Sequence, residues 1–155
     1  MKIALIIENS QAAKSGIVQD ALTSVAEPLG HQVHHYGMYT PEDKASLTYP
    51  MNGLLAGLLL NSKAADFVVT GCGTGVGSNL ACNAMPGVFC GLVVDPTDAF
   101  LFGQINDGNA ISMPFASASC SKTSAAPAIP RNAPPSWPRI AALWRSSKLP
   151  HATTC

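Results

Sequence analysis

Short apolar runs alternate with amphipathic stretches over the first 113 residues, and that alternation leaves few folds open. Ile3 to Ile7 is a continuous apolar run closed by Glu8, the pattern of a strand buried on both faces. Ile17, Ala21, Val25 and Leu29 follow at intervals of four and predict one stripe of a helix, with Gly30 as its stop. His31 to Tyr36 alternates weakly and reads as a short strand. Met51, Leu54, Leu55, Leu58 and Leu59 carry the spacing of a second helix. Phe67 to Thr70 predicts a third strand, Ser78 to Ala84 a helix, and Val88 to Val94 a fourth buried strand. Asp95-Pro96-Thr97-Asp98 reads as a helix start, with an acidic cap and proline at the first position. Ala110 to Met113 is a short fifth strand. The order is βα four times and then β, which dictates an α/β fold: a doubly wound, five-stranded parallel sheet flanked by helices. Such sheets bind ligands beyond the carboxyl ends of their strands, at the switch in strand order. Those ends present Glu8, Asn9 and Ser10 after the first strand, Gly71 to Gly77 after the third and Asp95 after the fourth.

The pattern stops after Phe115. The last 39 residues hold six prolines and seven serines and read as an irregular C-terminal tail. Charge divides at the same place. Through Ala116 there are nine acids and four lysines; from Ser117 onward there are five bases and no acid. We therefore read two segments, a folded domain over 1–116 and a Pro/Ser-rich tail over 117–155. The chain as a whole has zero formal net charge, which excludes a strongly basic nucleic-acid binder. No apolar run reaches membrane-span length and the start lacks the form of an export signal. The expectation is a cytoplasmic protein with reduced thiols. Its five cysteines (Cys72, Cys82, Cys90, Cys120, Cys155) lack the paired spacing of a zinc site, so no metal is expected. Cys82 and Cys90 read as core residues. His31, His34 and His35, around the second strand, read as surface or partly buried residues rather than ligands.

The segment GCGTGVG places glycines at 71, 73, 75 and 77 between a strand and a helix. Glycines permit positive φ and close backbone approach, and a helix start directs N–H groups at an anion or a developing oxyanion. The loop lacks the GK[ST] of a phosphate-binding P-loop and the placement of a dinucleotide fingerprint. Its other reading is a tight turn without a ligand. Cys72 lies inside it; near a helix N-terminus a thiol can serve as base or nucleophile, or be an inert buried residue.

At these residues the sequence resembles a known family. VVTGCGTGVGSNLACNAMPGV, followed by VVDPTDAFLFGQINDGNAISM, is similar to the ribose-5-phosphate isomerase B and galactose-6-phosphate isomerase family. The opening IALIIENSQAAK and the segment SLTYPMNG fit its ribose/galactose isomerase branch. The resemblance covers about residues 1 to 116. It implies a Rossmann-like sheet and an aldose–ketose isomerase that moves a proton on a phosphorylated sugar through an enediolate, without metal, nucleotide or other cofactor. It implies a homodimer or homotetramer with the active site at the subunit interface, and no nucleic-acid or membrane partner. It also implies roles: Cys72 as the base, Thr74 in ring opening or proton relay, and the loop of Gly71, Gly73, Gly75, Val76 and Gly77 on the enediolate oxygen. Asn106, with Asp107 and Asn109, is implied at the sugar, as are Glu8, Asn9 and Ser10 after the first strand.

The chain departs from the family pattern at Asn9-Ser10, where many members carry Asp-His, and at Ile105, where many carry His. The family draws phosphate-binding arginines partly from its C-terminal region. Here residues 1–116 contain no arginine, and Arg131, Arg139 and Arg145 all lie in the tail. The tail also lacks the GYP-x-ER-like segment of relatives. A neighbouring frame over AIPRNA can spell Gly-Tyr-Pro-Gln-Glu-Arg, so we read 117–155 as an out-of-frame or otherwise aberrant segment, which sequencing the coding DNA tests. Two alternatives to an active isomerase stay open: a non-catalytic sugar-phosphate or anion-binding module, and a C-terminally damaged, inactive member.

Overall fold

The computed structural model describes residues 1–116; the tail expectations lie outside the described residues. Five strands, β1 (Lys2–Ile7), β2 (Gln32–His35), β3 (Phe67–Cys72), β4 (Cys90–Leu92) and β5 (Ala110–Pro114), form one sheet in the order β2-β1-β3-β5-β4. Every pairing is parallel. This is the doubly wound five-stranded α/β sheet that the alternation predicts. β1 lies between β2 and β3, so successive connections depart in opposite directions from it. The crevice at the carboxyl ends of β1 and β3 is therefore the switch point.

Alternate residues of the central strands feed two cores. Ile3, Leu5, Ile7, Phe67, Val69 and Ile111 face one side, with Val18, Leu22 and Val25 of helix α1 (Ser15–Ala26). Ala4, Ile6, Val68 and Ala110 face the other, with Ala56, Leu59 and Leu60 of helix α2 (Tyr49–Asn61) and Cys82 of helix α3 (Val76–Asn83). Each large apolar side chain removed from water contributes roughly 1.5–3 kcal/mol. A short helix α4 (Pro96–Leu101) and a π turn (Phe102–Asn106) lead from β4 to β5. Asp95 caps α4 by accepting from the N–H groups of Thr97 and Asp98, and Asp98 returns a bond to the Asp95 N–H. That is the start read from the sequence.

Four readings need correction. In α1 the buried apolar residues are Val18, Leu22, Val25 and Ala26, whereas Ile17 and Leu29 are exposed. A strict four-residue spacing drifts around a helix of 3.6 residues per turn, so the true stripe mixes steps of three and four. The inversion in α2 is larger. Its buried face is Asn52, Gly53, Ala56, Gly57, Leu59 and Leu60, whereas Met51, Leu54 and Leu58 are exposed. Gly53 decides this: a Cβ there would lie 2.3 Å from the Ala81 carbonyl oxygen, and one at Gly57 would lie 2.9 Å from Met85 Cβ. Small residues let α2 approach the α3 backbone, so the leucines turn outward. The fourth strand is only Cys90–Leu92, and Phe89 and Val94 at its flanks are exposed, because an edge strand has one neighbour to pair with. His31, read as surface or partly buried, is buried, with its Nδ1 3.3 Å from the N-terminal amine. Cys82 and Cys90 lie in the core as expected.

Candidate active site

β3 ends on Cys72, and the chain then turns through Gly73, Thr74 and Gly75 into α3. Gly75 caps the helix with φ +77°. A Cβ there would lie 2.8 Å from Leu92 Cδ1 and 2.9 Å from the Met113 carbonyl carbon. Only glycine meets both demands. The loop carbonyls are tied away from the crevice. Cys72 accepts from the Phe115 N–H, Gly73 from Ala116, and Gly75 from Asn79 and from the Ser112 hydroxyl at 2.6 Å. With the carbonyls so occupied, N–H groups face the Cys72 sulfur.

Cys72 is buried. Burial pushes its thiol up. The Ser78 backbone N–H and hydroxyl, with the N–H groups of Gly75 and Thr74, outweigh burial and hold the thiol below its ordinary value. Thr74 is exposed, and its hydroxyl accepts from the Val76 N–H at 3.4 Å, at the outer limit of a hydrogen bond. Val76 is exposed and Gly77 partly covered; the Tyr49 ring lies against Gly77, 3.0 Å from where a Cβ would be.

The end of β1 supplies the second wall. Glu8 is buried and accepts from the Ser10 N–H at 2.9 Å and the Ser10 hydroxyl at 2.5 Å. Gln11 donates to the Ser10 hydroxyl at 3.1 Å, and its amide nitrogen lies 3.8 Å from where a Gly73 Cβ would be. The first-strand segment and the glycine loop therefore share one crevice. Asn9 turns outward, donating to the Ser46 hydroxyl at 3.0 Å. Lys14 donates to the Phe115 carbonyl, which sets a cation one residue from the backbone that pairs with Cys72. From beneath, buried Asn52 donates to Thr70 Oγ1 at 2.9 Å and to the Gly71 carbonyl at 3.3 Å.

The third group is not brought to this crevice. Asn106, Asp107 and Asn109 precede β5 and so lie at the amino edge of the sheet, one strand length, roughly 16 Å, from the loop. Asn106 and Asp107 are exposed, as is Ile105. Asn109 bonds the Phe89 N–H at 2.8 Å and the Gly87 carbonyl at 2.8 Å, fastening the turn between α3 and β4. Among the described residues no group of three His, Cys, Asp or Glu side chains converges to hold a metal ion. No helix there is long and apolar enough to cross a membrane.

Gln11, Lys14 and Asn52 stand at the site without having been singled out in the sequence; Ser78, the position after the glycine loop where some relatives carry a Glu, stands there too. Lys14 carried the clearest signal, as one of four cations in 1–116. Asn52 and Ser78 are polar residues inside apolar helical stretches, a pattern that marks a buried partner.

The family model described as Ribose/Galactose Isomerase matches residues 3–127. Among solved structures, a 4-deoxy-L-threo-5-hexosulose-uronate ketol-isomerase complexed with a tartrate is 59% identical, with a TM-score of 0.73 over 75% of this chain and 55% of its own. A ribose-5-phosphate isomerase from Vibrio parahaemolyticus is 47% identical, with a TM-score of 0.77 over 94% of this chain and 62% of its own. A ribose 5-phosphate isomerase from Thermotoga maritima is 26% identical, with a TM-score of 0.62 over 74% of each chain. The chain thus spans less than two-thirds of the length of the first two.

Proposed function

Because the chain belongs to the ribose/galactose isomerase family, we propose that it interconverts an aldose and a ketose, with Cys72 as the base. In this reading the Cys72 thiolate takes the proton from carbon 2 of an open-chain sugar and returns it to carbon 1. The loop N–H groups hold the enediolate oxygen between the two steps, and Thr74 relays a proton between the two oxygens. The observation that carries the reading is the buried Cys72 thiol, held below its ordinary value by donors of its own loop. One well-placed oxyanion donor is worth roughly 3–4 kcal/mol of barrier, and a positioned base a factor of about 10² to 10⁴. Residues 1–116 form the catalytic domain in this proposal, with the tail over 117–155 outside it.

The substrate is a sugar phosphate of the ribose 5-phosphate or hexose 6-phosphate type, as the name of the Vibrio relative suggests. A hexuronate-type ketose is the second reading. It is favoured by the 59% identity to the uronate ketol-isomerase. Asn106 serves the crevice of a second copy in this proposal, since its own crevice lies a strand length away. The test is ketol-isomerisation measured on ribose 5-phosphate, galactose 6-phosphate and a 5-keto-hexuronate, for the wild type and Cys72→Ala. The expected result is turnover on one substrate class, lowered at least 10²-fold in Cys72→Ala with substrate affinity within a few-fold. Ligand-induced stabilisation without turnover in the wild type would favour the non-catalytic module.

A further inference from the structure

Cys82 and Cys90 play no part in the proposed reaction, yet the fold sets them against each other. Asn79, Cys82 and Asn83 hold positions i, i+3 and i+4 of α3 and so share one face of the helix. Both asparagines are fastened to the Cys90 backbone. Asn83 donates from Nδ2 to the Cys90 carbonyl at 2.8 Å and accepts from the Cys90 N–H at 2.9 Å, and Asn79 donates to the same carbonyl at 2.9 Å. Cys82 stands between these two anchors. From the strand side, Cys90 pairs with Ala110, and both enter the apolar cluster that also holds Cys82. One asparagine amide thus spans from the α3 main chain to the β4 main chain. That reach matches the spacing a disulfide bridges, roughly 4.4–6.8 Å between Cα atoms. Cys82 is fully buried and Cys90 nearly so. Cys90 Sγ rests 3.8 Å from the Gly91 carbonyl, a weak contact for a thiol donor. In keeping with this placement, the Cys82 sulfur, and after it burial, push the Cys90 thiol up.

We propose that Cys82 and Cys90 form a dithiol modification site, which a small peroxide converts to a disulfide tying α3 to β4. The proposal is independent of the role of Cys72. β4 is an edge strand of three residues, paired on one side only, with exposed Phe89 before it. Local opening at such an edge admits a small uncharged oxidant to a core that larger reagents do not enter. One sulfur of the pair gives its proton to water and attacks a peroxide oxygen. The O–O bond breaks, water leaves, and a sulfenic acid remains. The second thiol then attacks that sulfur, the S–S bond forms, and the hydroxyl departs as a second water. Two electrons pass from the sulfurs to one peroxide. Cys72 stands apart from this exchange. It pairs with Pro114, four residues along β5 from the partner of Cys90, a separation of about 13 Å.

The experiment exposes the full chain to a series of hydrogen peroxide concentrations, ending where the exposed Met51 is oxidised. Remaining thiols are then blocked with N-ethylmaleimide, and disulfides are mapped by mass spectrometry without reduction. Chymotrypsin cuts after Phe89 and so releases the two cysteines on separate peptides. Cys82 and Cys90 are expected to lose the maleimide label together, as one cross-linked species lacking the two thiol hydrogens. Dithiothreitol should restore both labels. The link should dominate among the disulfides of the folded protein and lose that dominance in urea, where other pairings compete. Cys90→Ser should leave Cys82 unlinked, with no new bond to Cys72. A pair that stays fully labelled through the series overturns the proposal. So does oxidation of both sulfurs to sulfinic acid without a link, or a link from either one to another cysteine in the folded protein. A Cys82–Cys90 link equally dominant in urea overturns it as well, since sequence proximity rather than the fold would then make it.

Discussion

Gly75 carries two constraints at one position, a left-handed backbone and backbone atoms of β5 against its Cα. Gly75→Ala is expected to cost roughly 2–4 kcal/mol, combining the left-handed penalty with a displaced strand. Thermal unfolding would read this as a clear fall in melting temperature, accompanied by loss of turnover, since the loop cannot move without moving Cys72. His35 is governed by burial instead. Its Nε2 lies 2.6 Å from the Ser15 hydroxyl, and burial lowers its pKa below 6.5, against smaller upward effects of Gly37 and Asp43. The unfolded chain therefore takes up this proton first. Stability from this group is complete above about pH 6.5 and falls as pH drops through that value toward the lower native one. Urea midpoints at pH 7.5 and 5.5 should show the loss, and His35→Gln should reduce it. The glycine loop and Cys72 were legible from residue order alone, because strand, glycines and helix start are contiguous. Asn52 was not, because what defines it is a pair of partners reached only through the fold, Thr70 and Gly71.

At the scale of elements, periodicity located the helices and misplaced their faces. Asp95 to Asp98 was readable because a capping box is a local device within four residues. The face of α2 was not, because hydrophobicity favours the leucine side while steric fit favours the glycine side. Gly53 and Gly57 win because α2 meets α3 at backbone distance and leucines there have no space. Leu54 and Leu58 remain more than half exposed, and Val76 and Leu80 of the adjoining α3 are exposed as well. Together they give the outer side of the helix pair an apolar character that isolated monomers rarely show over a wide area. β4 was overestimated for a related reason: Val88 to Val94 is apolar throughout, yet only three of its residues find a ladder.

For the whole molecule, the two groups of candidate residues stand at opposite edges of one sheet, the crevice at the carboxyl ends of β1 and β3 and Asn106 beyond the amino end of β5. One chain cannot close such a site on itself, so in the proposed assembly each crevice borrows its Asn106 from a neighbour. The doubly wound topology was legible because right-handed crossovers leave few alternatives for four βα units. The distance between the two groups was not, since sequence order does not reveal at which edge a loop emerges. Two defective alleles should therefore rescue each other. Chains carrying Cys72→Ala and chains carrying Asn106→Ala are each expected to be inactive alone. Mixed in equal amounts and allowed to exchange, they should recover about a quarter of wild-type activity, because half the dimers are mixed and each of those holds one undamaged site. Failure to recover any activity, with mixed dimers present, would place Asn106 outside the site. Where rescue occurs, inheritance of this trait would follow the pair rather than the single copy, with either lesion harmful alone and partly silent in the presence of the other.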